Sequence, residues 1–91
     1  MKENKPTVHR LKIAPQYFKD VVSGVKTFEV RRNDRDFKVG DIVTLEEYKD
    51  GSYTSNYVNA EITYILDDLE YCKEGFVVFG IKLLFNLGAH I

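Results

Sequence analysis

Beyond Thr27 the hydrophobic period of the chain drops to two, and this alternation limits the fold more than any other feature. Val58, Ala60, Ile62, Tyr64 and Leu66 alternate with Asn59, Glu61, Thr63 and Ile65, the pattern of a strand with two unlike faces. Ile42 to Tyr48 and Ser52 to Asn56 read as strands on either side of Asp50-Gly51, a favoured hairpin turn. Phe76 to Leu84 is apolar on both faces, as a strand covered on both sides would be. Thr27 to Arg31 sets Phe28 and Val30 on one face and Thr27, Glu29 and Arg31 on the other.

The first residues add one strand and one helix. In Val8 to Ile13, His9, Leu11 and Ile13 share a face opposite Arg10 and Lys12. Pro15 suits a first helical turn, Tyr17, Phe18, Val21 and Val22 follow at helical spacing, and Gly24 can cap the end near Ser23. Asn33 to Asp36 and Val39-Gly40-Asp41 read as turns, Asp67 to Gly75 as an acidic loop with room for a helical turn, and the tail from Asn86 fits no element. A flat sheet this short would leave apolar edges exposed. The expected fold is therefore mainly β (α+β), a small, partly closed β-barrel with one or two short helices. It forms a single domain over 1–91 with its core at about 7–84.

Composition narrows the function classes. With 91 residues there is no room for a kinase, a doubly wound dehydrogenase or a (β/α)₈ barrel. Cys72 has no partner for an internal disulfide, and His9 and His90 are too few and too distant to suggest zinc, so no metal or other cofactor is expected. Met1 to Pro6 is polar, and the longest apolar run, Phe76 to Ile81, is far short of a bilayer span, so a cytoplasmic monomer without membrane contact is expected. The formal charge of −1 excludes a broad electrostatic grip on nucleic acid. That sum hides an asymmetry: residues 1–38 carry ten cations and five anions, residues 39–91 three cations and nine anions.

The densest charge lies in Gly24-Val25-Lys26-Thr27-Phe28-Glu29-Val30-Arg31, followed by Arg32, Asp34 and Arg35. On spacing alone this is either a solvated ion-pair ladder or a binding strand. The G-x-K-x-x-E-x-R pattern resembles the signature of ASCH domains, small β-barrels related in fold to the PUA RNA-binding domain. Further stretches extend the resemblance: His9-Arg10-Leu11-Lys12-Ile13, Asn33-Asp34-Arg35-Asp36-Phe37, Val39-Gly40-Asp41, Tyr64-Ile65-Leu66 and Glu74-Gly75-Phe76-Val77-Val78. Over about His9 to Lys82 the chain most resembles an uncharacterised ASCH-like family common in phage, prophage and bacterial genomes. The resemblance implies a helix beside a cleft, the signature lining that cleft, and RNA or a nucleotide-like small molecule as ligand. Ser55 stands where that family often has glycine, and Phe76 where it often has tyrosine.

For such a ligand, Lys26 and Arg31 supply donors to a phosphate or base carbonyl, and Arg35 adds a planar fork. Glu29 accepts from an exocyclic amine or orients Arg31, with which it shares a strand face. Lys26 falls on the opposite face unless the chain bends after Gly24. His9 belongs either at the rim of the cleft or in the interior, bonded to backbone; Lys12 joins the rim or is solvated. Tyr53, Tyr57 and Tyr48 are candidate stacking platforms, and each is equally a packing residue. Asp34 with Arg35 suits a turn-stabilising pair, and Asp41 a cap on backbone amides.

Two other function classes compete. ASCH-type amidohydrolases acting on acetylated cytidine use a lysine and a threonine of one strand with a glutamate elsewhere. Lys26 matches their lysine, but Glu29 occupies the threonine position, so an enzyme of that kind would rely on Lys26 and Glu29 without its nucleophile. A phage or prophage accessory module that engages a protein would need an exposed apolar patch, for which Leu83 to Leu87 is the candidate.

Overall fold

The computed structural model describes residues 5–85 and 89–90. Strand β1 (Val8–Ile13) leads into helix α1 (Pro15–Val22), followed by β2 (Phe28–Arg32), β3 (Ile42–Lys49), β4 (Ser52–Leu66), β5 (Phe76–Leu83) and β6 (Ala89–His90). One curled sheet of order β1-β3-β4-β5-β2 contains them, with β6 added beside β4. Only β1 and β3 run parallel; the other pairs are antiparallel. The architecture is the mainly β, partly closed barrel expected, with one helix.

The apolar faces of the alternating strands meet inside the curl. Leu11 and Ile13 from β1, Val43 and Leu45 from β3, Val58, Ala60 and Ile62 from β4, and Val77, Phe79 and Ile81 from β5 form the core. Helix α1 closes one end with Phe18 and Val21. Asp50 and Gly51 both take positive φ, 52° and 85°, as a two-residue hairpin turn requires. The two strands expected at Ser52–Asn56 and Val58–Leu66 are one continuous strand, in which Ser55 holds φ 81°, the conformation that glycine adopts freely.

Two expectations are corrected. A bulge between Ile62 and Tyr64 shifts the register of β4, so Ile65 packs against the core and Tyr64 is 66% exposed. Strand β5 is buried through Val77, Phe79 and Ile81, while Phe76, Val78 and Gly80 are only half-buried on its outer face. In strand β2, whose inner face the alternation leaves open, Phe28 and Val30 face outward, 46% and 56% exposed, while Glu29 faces inward at 3%. Of the tail, Leu83 packs against the core and Phe85 is exposed; Asn86 and Leu87 lie outside the described residues.

Strands β1 and β2 are the two free edges of the sheet, and among the described residues no ladder joins them. Two arginines bridge the seam instead. Arg31 Nη2 donates to the Lys12 carbonyl at 2.9 Å, and Arg35 Nη1 donates to the Arg10 carbonyl at 3.0 Å.

Candidate functional site

The site grows from the end of α1. Gly24, at φ 81°, turns the chain so that the amides of Val25 and Lys26 both reach the Asp20 carbonyl. Strand β2 begins at Phe28, so strand alternation does not extend back to Lys26. Its ammonium swings onto the Phe28 carbonyl at 2.6 Å and onto Glu29 Oε2. Glu29 Oε1 accepts from Arg31 Nε at 2.9 Å and Nη2 at 2.7 Å. Both carboxylate oxygens of Glu29 are thus held by cations, Lys26 on one side and Arg31 on the other.

These three residues line a cleft of about 490 Å³ at the seam, walled also by Lys12, Ile13, Ala14, Tyr17, Phe28 and Val30. Lys26 Nζ lies 4.9 Å from the centre of the Phe28 ring and 5.7 Å from that of Tyr17. Among the described residues none accepts the third proton of the Lys26 ammonium, and none accepts from Arg31 Nη1. These unclaimed donors belong to two side chains that line the cleft. The wall carries the charges of Lys26, Arg31 and Glu29 beside two aromatic rings, and the stem of Lys12.

Energetics set this trio apart from ordinary packing. Glu29 pairs across the sheet with Phe79, a fully buried core residue, so an aliphatic side chain would suit position 29. Burying a carboxylate costs several kcal/mol in desolvation, which its ion pairs roughly offset. The trio is an expensive way to fill a core position, as is usual for a built site.

Other expected site residues stand elsewhere. His9 is not at the cleft rim: β1 alternation turns it inside, where Nε2 donates to Asp41 Oδ2 at 2.8 Å and the ring leans on Phe37 at 4.7 Å. Asp41 also accepts from the amides of Thr7 and Lys38, as a cap should. Burial pushes the Asp41 carboxyl up, but the hydrogen bonds from His9, Thr7 and Lys38 outweigh it and hold the group below its ordinary value. Arg35 is not at the rim either, because its fork is engaged at the Arg10 carbonyl and loosely with Asp34 at 3.9 Å. Lys12 does line the cleft, while its ammonium leaves over the Tyr48 ring at 4.4 Å and the Tyr53 ring at 5.8 Å. Tyr53 is outside the cleft, on the β3–β4 hairpin.

The sequence reading missed Tyr17 and Phe28 as cleft residues. A signal existed for the first: Tyr17 and Phe18 are adjacent on a short helix, so only one can face the core. A second concavity, of about 320 Å³, lies on the outer face between Val30, Phe76, Val78 and the loop residues Tyr71, Cys72 and Lys73. Phe76, beside it, lies beneath Arg32 at 4.9 Å. Among the described residues no helix is long and apolar enough to cross a membrane, and no cluster of side chains could hold a metal.

A family model described as a domain of unknown function, DUF3850, matches residues 8–81, which spans β1 and almost all of β5. The "uncharacterized 12.9 kDa protein in GpA 3′ region" of Escherichia phage P2 is 37% identical over 67 residues. That match covers 74% of this chain and 62% of the phage protein, less than two thirds of its length. The matched span holds the helix, the β2 trio and both edges of the seam, and the chain belongs to the DUF3850 family.

Proposed function

We propose that the chain is an ASCH/PUA-like module that binds RNA or a nucleotide-like ligand in the cleft at the β1–β2 seam. The observation that carries this reading is the buried Glu29 clamped between Lys26 and Arg31, both with spare donors on an open cleft. The two cations suit a phosphate or the carbonyl edge of a base, and the rings of Tyr17 and Phe28 suit its plane. The module acts as a cytoplasmic monomer, and the P2 relative is consistent with a phage or prophage accessory role. Binding is favoured over amide hydrolysis because among the described residues no serine, threonine or cysteine lines the cleft; Tyr17 brings a hydroxyl to it, and Thr27 is exposed elsewhere. An interaction module for a protein is the second reading, favoured by the apolar groove at Val30, Phe76 and Val78.

Titration with 5′-mononucleotides at low salt, followed by amide shifts, tests the proposal. Shifts should concentrate in residues 24–32, and Lys26→Met should weaken binding about tenfold, the value of one charge-assisted bond. No shift at millimolar ligand would discard the nucleotide reading in favour of a protein partner. Turnover of acetylated cytidine that Lys26→Ala abolishes would replace it with an enzyme.

A further inference from the structure

Outside the cleft, the outer face of β1, β3 and β4 carries an ordered aromatic pair between cations. Tyr48 is fixed from two sides: its hydroxyl donates to the Gly51 carbonyl at 2.8 Å, and Lys12 Nζ lies 4.4 Å from its ring centre. Its ring meets that of Tyr53 at 82° with centres 5.0 Å apart, which holds Tyr53 upright on the hairpin. Tyr53 itself is 53% exposed. Arg10, which shares the outer face of β1 with Lys12, binds Glu46 at 2.7 Å and completes the cationic border.

Lys12 makes this ridge continuous with the cleft. Its main chain receives Arg31 at the seam and its ammonium reaches the tyrosine pair, so one lysine side chain spans the distance between them. A mononucleotide in the cleft would leave the ridge unused. A strand with one nucleotide in the cleft would carry its next phosphate past Lys12 and its next base to Tyr53. Aromatic rings interleaved with cations along a path are the general means of binding single strands. A neutral sugar would make no use of Arg10 and Lys12.

We infer that the ligand is a single-stranded nucleic acid of at least two nucleotides, one held in the cleft and a neighbouring base stacked on Tyr53 beside Lys12. This rests on the cleft reading proposed above and adds a second subsite to it.

The test compares uridine 5′-monophosphate with tetrauridylate and with the tetradeoxythymidylate analogue, using amide shifts and affinity at low salt. A tetranucleotide of either sugar should bind about tenfold or more tightly than the monophosphate and add shifts at residues 48–54. Tyr53→Leu should remove most of that gain without changing the affinity for the monophosphate, and Tyr53→Phe should keep it. A thermal melt identifies any loss that reflects misfolding, and the half-exposed ring makes Tyr53→Phe the control that stays folded. If the monophosphate binds in the cleft and the tetranucleotides bind no better, or if Tyr53→Leu leaves their affinity unchanged in a folded protein, the second subsite is overturned while the cleft stands. If none of the three shifts residues 24–32, the cleft reading fails and the subsite with it.

Discussion

Glu29 and Asp41 are both buried carboxylates, 3% and 6% exposed, and both hold side chains that carry or can carry positive charge. Their surroundings differ in what is left over. Asp41 collects His9 and the amides of Thr7 and Lys38, and thereby ties the start of β1 and the preceding loop to the start of β3. The His9 ring continues into Phe37 and Phe79, so this cluster is closed off by core. Glu29 collects only side chains, and both of them stand at a cleft with donors to spare. A carboxylate saturated by backbone amides organises the chain. One that positions two cations at an opening organises, on the proposed reading, a ligand.

Truncating each carboxylate separates the two roles most strongly. Asp41→Ala leaves two amides and a histidine without their acceptor inside the protein, and should cost about 3 kcal/mol in urea denaturation. Glu29→Ala frees Lys26 and Arg31, which are partly exposed and can turn to water, so its cost should be nearer 1 kcal/mol. The same change should abolish nucleotide-induced shifts in residues 24–32. The reverse order of stabilities would show Glu29 to be the organising group.

Acid should act on the Asp41 cluster in a definite direction. Because the folded carboxyl titrates below its ordinary 3.8, its contribution is complete above that value and is lost as pH falls through the lower, folded one. The urea midpoint of the wild type should therefore decline below about pH 4. Asp41→Asn should be less stable at neutral pH and should show a shallower decline on that limb. Identical acid limbs in the two proteins would remove Asp41 from the titration.

The strands that obey simple alternation were legible in the sequence, and the site was legible only in part. In β1 the periodicity alone sets His9, Leu11 and Ile13 against Arg10 and Lys12, as observed. The convergence of Glu29 with Arg31 follows from the same rule, and the Gly24 bend accounts for Lys26 joining them. Two things escape it. Period two says which residues share a face but not which face is inside, and in β2 the charged face won because Lys26 and Arg31 neutralise Glu29 while Phe28 and Val30 remain exposed. The bulge after Ile62 was equally silent, since Tyr64 and Ile65 are both apolar enough to occupy the inner face. His9 was left open between rim and interior, and Arg35 was set at the rim, because a local pattern does not disclose that Asp41 or the Arg10 carbonyl, distant in sequence, will claim them.

Arg35 offers the finest division between chain organisation and ligand organisation, because it resembles Arg31 in one respect only. Each donates to a carbonyl of the β1 edge, two residues apart, and so each helps to close the seam. Arg31 is also committed to Glu29 and lines the cleft, whereas Arg35 is about half exposed and lines no part of it. Its bond to the Arg10 carbonyl is a solvated one, worth less than about 1 kcal/mol net. Arg35→Gln should thus leave nucleotide affinity unchanged and lower the urea midpoint only slightly. Amide exchange at Leu11 and Ile13, whose amides face β3, should rise, since the β1 edge loses one of its two clamps and its ladder frays more often. A loss of affinity comparable with that of Lys26→Met would return Arg35 to the binding surface and extend the ligand's path along the seam beyond Arg31.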